Sequence, residues 1–267
     1  MSSINPDSYR EAATATVSVD DRAGQRLGTI DLGRMPEPGP PTLSNQLTAL
    51  ISDVLKCWSG PWPRLASITD AGHHSTADYE TVLQAMEHPH RPGQRLEWEW
   101  VVDYWHVCHS IHRMAEALFG GTGEGHAGAR KMCRWLKSKP NGAFRVLHSA
   151  AALRTRRGLN GSQKSFQTAY DSLANRLKHL NDRRYRQCHL PLGSGVMEAA
   201  CKTVFSQRLK PAGMSWSIEG GQVIVDLRVI QLGGVWKQVH QSYLQSKMLP
   251  EMRTQQQSAR KQTEKAA

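Results

Sequence analysis

The chain has 267 residues, a formal net charge of +11 and a pI of about 9.7. A basic balance of this size favours a polyanionic partner, most often nucleic acid. The chain has no apolar run of about 18 residues, so a membrane span is not expected. Its polar start does not resemble a signal peptide. We therefore expect a cytoplasmic protein that contacts nucleic acid and no membrane.

Five cysteines are scattered along the chain without a Cys-x-x-Cys pair. They are Cys57, Cys108, Cys133, Cys188 and Cys201. Their spacing suits neither a disulfide framework nor a zinc site. We expect buried, reduced thiols.

Two strand-forming stretches open the sequence. Residues 12–20 are rich in threonine and valine, and residues 25–32 follow after Gly24, so the two together predict a hairpin. The first stretch ends in Asp20 and Asp21. Because aspartate favours turns, a turn pair is the structural alternative to a functional role for these two acids.

Acidic residues also end the next two predicted strands. Leu65–Thr69 is a short, mostly apolar stretch that ends at Asp70, and residues 96–102 form another that ends at Asp103. Ligands of open α/β sheets bind outside the carboxyl ends of the strands, which makes Asp70 a candidate site residue. Asp103 precedes a predicted helix and is expected to cap its N-terminus.

Strand signals are absent from residues 120–185. Apolar periodicity predicts helices there over residues 126–139, 143–155 and 162–180, and elsewhere over residues 43–58, 77–86, 220–232 and 236–248. The strandless region is rich in basic residues, which form either a solvated face or a phosphate-binding surface. In a chain of this charge we expect Arg134, Lys137, Arg154 and Arg157 to contact phosphates.

The most informative stretch is residues 190–217, which begins LPLGSGVMEAACK. A Gly-Ser-Gly turn opens it, and residues 196–209 follow with helical spacing until Pro211. That spacing places Glu198 and Lys202 near one face, together with apolar residues. Two interpretations stay open. Glu198 and Lys202 form a buried pair, or Glu198 belongs to a site that an anionic polymer approaches along Lys202, Arg208 and Lys210.

Three of the acids together suit a metal site. Asp20 and Asp70 end strands and Glu198 starts a late helix, and in a mixed sheet of the ribonuclease-H kind such positions converge on one edge. Three carboxylates there can hold two Mg²⁺ or Mn²⁺ ions about 4 Å apart, which suits in-line displacement at phosphorus.

The order of motifs resembles a known family. The segments VSVD, SITDAG, WVVDYWHV and LPLGSGVMEAACK, followed by QRLKPAGMSWS, are similar to bacterial insertion-sequence transposases of the DDE class, specifically the ISKra-type group, kin to the Mutator-like enzymes. The resemblance covers residues 17–236. It implies an α/β fold, a ribonuclease-H-like mixed sheet flanked by helices, with an all-helical insertion before the catalytic glutamate.

The resemblance also implies an activity, its partners and its site. The activity is metal-dependent cleavage and strand transfer of DNA during transposition, with element ends and target DNA as partners and a homo-oligomer as the active form. The family's catalytic and metal-binding triad falls on Asp20, Asp70 and Glu198. Asp103 and His106 match an Asp-x-x-His element and are auxiliary residues, as is Lys202. The glycine usual after the first acid is absent, so Asp21 or Asp103 stays open as a triad member.

The predicted organisation has five segments. They are an N-terminal tail (1–11), the first part of the core (12–119), a helical insertion (120–189), the second part of the core (190–246) and a disordered polar tail (247–267). Such transposases usually carry a DNA-binding region before the first strand, and few residues precede it here. We therefore expect a catalytic domain without that module. The alternatives are another ribonuclease-H-like metal-dependent nuclease, such as a junction resolvase, and a truncated, non-catalytic DNA-binding remnant.

Overall fold

A computed structural model describes residues 12–36, 42–157, 164–210 and 214–246. The two predicted tails, Pro211 and the start of the helix predicted over residues 162–180 lie outside these ranges. The described chain is a mixed α/β protein in which helices predominate and the strands form two small sheets.

The strands are β1 (Ala13–Asp20), β2 (Arg26–Arg34), β3 (Leu65–Thr69) and β4 (Trp98–Val102). The helices are α1 (Thr42–Lys56), α2 (His73–Thr81), α3 (Tyr104–Phe119), α4 (Gly123–Ser138), α5 (Gly142–Arg156), α6 (Lys164–Ala174), α7 (Asp182–Gln187), α8 (Gly195–Ala200), α9 (Gln207–Leu209) and α10 (Ile218–Leu232). A π-helical segment (Cys201–Ser206) joins α8 to α9, and 3-10 turns lie at Leu83–Ala85 and Leu177–His179. Residues 236–246 are helical as well.

The chain divides into two compact units. Unit 1 combines residues up to Ser18, Thr29–Leu43 and the chain from Ala200 onward. Unit 2 combines Val19–Gly28 and Ser44–Ala199. Unit 2 therefore contains the three predicted triad acids.

The predicted hairpin is confirmed by β1 and β2, which pair with each other. The Asp21 carboxylate accepts hydrogen bonds from the backbone N–H groups of Ala23 and Gln25, both at 2.8 Å. Gly24 follows with a positive φ of 81°, a conformation that glycine adopts without steric cost. Asp21 is thus a turn residue, as its alternative interpretation predicts.

The core of unit 1 forms where the π-helical segment meets α10. Val204, Phe205 and Val225 are buried together. The wider turns of a π segment leave carbonyl groups without their usual α-helical partners. The Arg228 guanidinium donates from Nη2 to the Thr203 carbonyl at 2.6 Å and so gives one carbonyl group of this segment a hydrogen-bond donor.

The sheet of unit 2 is a parallel pair. β3 and β4 run in register from Leu65 opposite Trp98 to Thr69 opposite Val102. The sequence predicts one larger mixed sheet of the ribonuclease-H kind. The described strands instead form two separate two-stranded sheets.

Helix α3 is the centre of unit 2. Its buried face includes Val107, Ile111 and Met114, and α4 and α6 pack against this helix. The helices predicted over residues 126–139 and 143–155 are confirmed with small shifts as α4 and α5. The helix predicted over residues 162–180 is shorter, because α6 ends at Ala174.

All five cysteines are free thiols, as the sequence predicts. Cys108 and Cys133 are buried, but Cys57 and Cys201 are exposed, so the expectation of burial is wrong for the latter two. None of the helices in the described ranges combines the length and the apolar composition that a bilayer crossing requires.

Candidate active site at the carboxyl ends of the parallel strands

Two aspartates follow the parallel strands directly. Asp70 comes after β3 and Asp103 after β4, and the Asp103 N–H donates to the carbonyl of Thr69 at 2.8 Å. This bond continues the register of the sheet by one residue. Asp70 and Asp103 therefore lie at the same edge of the sheet, where ligands of parallel sheets bind.

Asp103 is 1% exposed, and its carboxylate is fully hydrogen-bonded. One oxygen accepts from the backbone N–H groups of Trp105 at 2.6 Å and His106 at 3.2 Å, which caps α3 as predicted. The other accepts from the backbone N–H and the hydroxyl of Ser194. A carboxylate has about four acceptor sites, and these bonds use them all. This arrangement leaves no oxygen lone pair for a metal ion and argues against Asp103 as a triad member.

The same hydrogen bonds keep Asp103 ionised. Burial raises the pKa of a carboxyl group, but here the bonds from Ser194, Trp105 and His106 outweigh burial and lower the pKa of Asp103. The group is therefore a fixed negative charge that positions its neighbours.

The Gly-Ser-Gly turn passes over the start of α3. The Tyr104 N–H donates to the Leu192 carbonyl at 2.8 Å, next to the bonds between Ser194 and Asp103. A Cβ atom at Gly193 would lie 3.3 Å from the ring of Trp105, so glycine allows the close approach. Glu198 lies one helical turn beyond Ser194, and its N–H donates to the Ser194 carbonyl at 3.1 Å. The start of α8 is thereby tied to the edge that carries Asp70.

Asp70 is exposed and hydrogen-bonded on one oxygen. That oxygen accepts from the Gly72 N–H and from the Ser75 hydroxyl, both at 2.8 Å. Partial burial opposes ionisation, but these two bonds and the charge of the nearby His106 outweigh it and lower the pKa of Asp70. Asp70 is therefore an ionised oxygen donor beside His106, which is also exposed.

Asp20 forms an ion pair with a residue of the neighbouring strand β2. It ends β1, and its carboxylate accepts from Arg26 Nε at 3.1 Å. Within the described residues, no three histidine, cysteine, aspartate or glutamate side chains are grouped so that they could hold a metal ion. The triad of Asp20, Asp70 and Glu198 stays a prediction.

Of the two interpretations of Glu198 and Lys202, the buried pair is wrong. Both residues are exposed, while Val204 and Phe205 are buried. The sequence prediction assumes the α-helical period, and the π-helical segment interrupts that period directly after α8. Arg208 and Lys210 are also exposed, as a contact with an anionic polymer requires.

The four basic residues predicted to bind phosphate differ in what they contact. Arg134 is exposed, whereas the Lys137 ammonium lies 3.6 Å from the centre of the Tyr104 ring. Arg154 donates to the Gln167 side chain at 2.8 Å. Arg157 donates to the Leu118 carbonyl at 2.9 Å and covers the ring of Phe119. Arg134 is thus the best placed of the four for an outside phosphate.

Two residues near the site were not found from the sequence. Ser194 reads as part of a turn, and no local pattern signals its bonds to Asp103. Asp182 is 1% exposed at the start of α7, although its charged neighbours in the sequence predict a surface position. Neither of its carboxylate oxygens has a hydrogen-bond partner among the described residues. Burial raises its pKa to about 6, with Lys137 opposing and Asp103 reinforcing the rise.

Comparisons of the chain with protein-family models, with curated proteins and with solved structures found no match. The geometry and the sequence motifs are therefore the basis of the functional assignment.

Proposed function

We propose that the chain is the catalytic domain of a DDE-class DNA transposase, with a core of the ribonuclease-H kind. Its reaction is metal-dependent phosphodiester cleavage and strand transfer during transposition of an insertion sequence. One observation carries the proposal: the bonds between Ser194 and Asp103 join the start of the Glu198 helix to the strand edge that bears the ionised Asp70. The resemblance of the motifs supports the same assignment.

The donor chemistry at this edge fits Mg²⁺ or Mn²⁺. Both ions prefer oxygen ligands, and Mg²⁺ keeps several waters, so one or two carboxylates suffice for each ion. Asp70 and Glu198 would hold the metal, and Asp20 joins them only if its carboxylate leaves Arg26. When bound, such ions supply Lewis-acid stabilisation and a nucleophile of lowered pKa.

The chain's own residues prepare the site in three ways. Gly72 and Ser75 keep Asp70 ionised and fix its orientation. Asp103 holds the start of α3 and the Gly-Ser-Gly turn in one position, so it is a positioning residue. His106 lies beside Asp70, where it can donate a hydrogen bond to a phosphate oxygen.

The proposed partners are DNA and a second copy of the chain. The net charge of +11 favours a polyanion, and Arg134, Arg208 and Lys210 present exposed cations. The proposed setting is the cytoplasm, where element ends and target DNA are both accessible.

A DNA-binding remnant without catalysis is the second candidate. It is favoured by the lack of a three-ligand metal group among the described side chains. A junction resolvase or another nuclease of the same fold would cleave DNA but would not join paired element ends to a target.

The substitution Glu198→Gln tests the catalytic proposal. Glutamine keeps the size of the side chain but removes the charge that a divalent ion requires, so Mg²⁺-dependent nicking of supercoiled plasmid should be lost. DNA affinity rests on lysine and arginine contacts with phosphate and should be unchanged. Nicking, filter binding and melting temperature are measured on the same preparations.

Glu219→Gln is the matched control, because Glu219 is also an exposed glutamate in the first turn of a helix. It should nick like the wild type. A stable Glu198→Gln protein that still nicks would remove Glu198 from the site. A wild type that binds DNA but nicks with neither Mg²⁺ nor Mn²⁺ would favour the remnant. Strand transfer of paired DNA ends separates a transposase from a resolvase.

A further inference from the structure

A large aromatic side chain is open to solvent at the candidate site. Trp105, the second residue of α3, is 66% exposed, more than any other tryptophan that the structure describes. Asp103 caps the start of its helix, and the neighbouring His106 lies near Asp70. The indole ring therefore offers a flat apolar face to a molecule that occupies the site.

Helices α3 and α4 lie side by side in opposite directions. The rings of His112 in α3 and His126 near the start of α4 are 6.2 Å apart. The Lys137 ammonium in the last turn of α4 lies 5.4 Å from the centre of the Trp105 ring, at the start of α3. The surface beside the indole is therefore formed by both helices.

Helical spacing continues this surface along both helices. Steps of four and three residues lead from Trp105 to His112, and steps of four residues lead from His126 to Arg134. The pKa of His112 is lowered by burial and then by His126 and Arg130, so these basic groups lie near one another. We call this surface the α3–α4 face, and its residues are Trp105, His109, His112, His126, Arg130 and Arg134.

The charge of the α3–α4 face is of one sign. Residues 105–115 of α3 and 126–138 of α4 contain no aspartate or glutamate. Arg130 and Arg134 are exposed. A row of cations that leads to an exposed aromatic ring suits a nucleic-acid strand, because the cations contact phosphates and the ring stacks on a base.

The exposed indole also indicates which form of nucleic acid fits. Inside a duplex both faces of each base are covered by neighbouring bases, so an aromatic side chain can stack only on a base that has left the duplex. Proteins that bind single strands combine a positively charged groove with such aromatic side chains. The α3–α4 face has both features.

We propose that the α3–α4 face binds single-stranded DNA at the candidate site, with Trp105 stacked on an unpaired base and the basic side chains on the phosphates. The proposal rests on the proposed function for the choice of DNA, and it adds the form of the substrate, which is DNA whose strands are separated beside the reacting phosphate. Trp105 is a positioning residue, since it holds the strand near Asp70 and does not contact the reacting atoms.

The test measures affinity by fluorescence anisotropy without divalent ions, so that no cleavage occurs. Three DNAs share one duplex: the first is blunt, the second has a single-stranded overhang, and the third has an overhang of abasic nucleotides. The abasic overhang keeps the phosphates and lacks the bases. Because stacking of one base on an aromatic ring changes affinity by about tenfold, the wild type should bind the complete overhang about tenfold more tightly than the abasic one.

Substitutions separate stacking from phosphate contact. Trp105→Leu keeps an apolar side chain without an aromatic face, so it should bind both overhangs alike, and Trp105→Phe should restore most of the difference. Arg130→Ala should keep the difference and lower the slope of log affinity against log salt by about 0.7, the contribution of one phosphate of a single strand. Melting temperatures check folding. If Trp105→Leu does not fold, the abasic comparison on the wild type decides.

The matched controls lie at the opposite end of the parallel sheet from Asp70. Trp62 is 41% exposed just before β3, and Arg95 is exposed before β4. Trp62→Leu and Arg95→Ala should both bind like the wild type.

Three outcomes would overturn the proposal. They are equal wild-type affinity for the complete and abasic overhangs, a folded Trp105→Leu protein that still distinguishes them, and tighter binding of an RNA overhang of the same sequence. Plasmid nicking reports separately on the catalytic proposal. A wild type that distinguishes the overhangs but does not nick would favour the non-catalytic remnant and leave this binding site in place.

Discussion

Two buried aspartates lie near each other in unit 2 and have opposite electrostatic environments. The Asp103 carboxylate accepts four hydrogen bonds, and its pKa is lowered. The Asp182 carboxylate accepts none among the described residues, and burial raises its pKa to about 6. Burial alone therefore does not decide the charge of an acid; its hydrogen-bond donors do.

The substitution Asp182→Asn should remove a pH dependence of stability. In the folded protein Asp182 keeps a proton up to about pH 6, whereas its ordinary pKa is 3.8. The folded state thus binds more protons than the unfolded state between these values, so stability falls as pH rises through this window and stays lower above it. The cost above the window is up to about 3 kcal/mol, at about 1.4 kcal/mol per pH unit. Asparagine carries no charge and should recover much of this stability.

Urea unfolding at about pH 4 and about pH 8 measures the effect. Asp182→Asn should be more stable than the wild type at the higher pH and differ little at the lower one. The control Asp53→Asn, at an aspartate whose side chain is 72% exposed, should change little at either pH. An Asp182→Asn protein that is less stable at the higher pH would show that the attraction to Lys137 outweighs the cost of burial.

At the scale of elements, β2 packs closely against the core of unit 1 at Gly33. A Cβ atom at Gly33 would lie 2.7 Å from a methyl group of Val225 and 3.1 Å from one of Val204. The glutamine of α10 at position 222 also donates to the Gly33 carbonyl, at 3.2 Å. The close contact between β2 and α10 therefore depends on the absence of a side chain at Gly33.

Gly33→Ala should destabilise the protein by about 1–3 kcal/mol, because overpacking a filled core forces neighbours to move. Gly28→Ala is the control on the same strand, since a Cβ atom there would meet nothing within 4 Å. It should be neutral or slightly stabilising. Thermal unfolding of the two variants and the wild type compares them. Equal melting temperatures for both variants would show that the core of unit 1 accommodates the added methyl group without loss of stability.

Local sequence patterns predicted where helices and strands form better than they predicted where a helix departs from the α-helical period. The β1–β2 hairpin, the cap at Asp103 and helices α4 and α5 follow from turn residues, capping residues and apolar period, which act over a few positions. The π-helical segment at Cys201–Ser206 has no such signature in the sequence, and its residues Val204 and Phe205 are buried together with Val225 of α10. Of the two interpretations of Glu198, the buried pair with Lys202 is the one that the exposure of both residues excludes.

At the scale of the whole molecule, the net charge of +11 does not show which basic residues would contact the proposed DNA partner. Arg134 is exposed, while Arg157 donates to the Leu118 carbonyl and lies 3.9 Å from the Phe119 ring. The two arginines thus differ in their surroundings, although both lie in the helical region. Both were predicted as phosphate contacts, and the structure gives Arg157 a further role in joining α3 to α5.

Arg134→Ala should lower the salt dependence of DNA binding. Each phosphate contact contributes about 0.9 to the slope of log affinity against log salt, so losing one should reduce the slope by about that amount. Arg157→Ala should instead lower stability by about 1 kcal/mol, because it removes a hydrogen bond and the packing of its alkyl chain. Binding titrations at several salt concentrations and thermal melts distinguish the two effects. A lower slope for Arg157→Ala with an unchanged melting temperature would reverse this assignment.

Only part of the candidate site could be predicted from the sequence. Asp70 and Asp103 end neighbouring strands, and this follows from local pattern plus the rule for parallel sheets. The partner of Asp103 does not, because Ser194 lies 91 positions away and reaches it only through the packing of the whole unit. The larger mixed sheet is not confirmed among the described strands, and pairing between distant strands has no local signature in the sequence.

The bond between Asp103 and Ser194 also sets an order of events during folding. Contacts between residues far apart in the chain cost more loop-closure entropy and slow folding. β3, β4 and α3 can form from a continuous stretch of chain, but the acceptor sites on Asp103 stay open to water until Ser194 has been synthesised and arrives. A nascent chain thus carries the strand edge long before it carries the site. The candidate site is completed late, when the chain has already passed the helices α4 to α7.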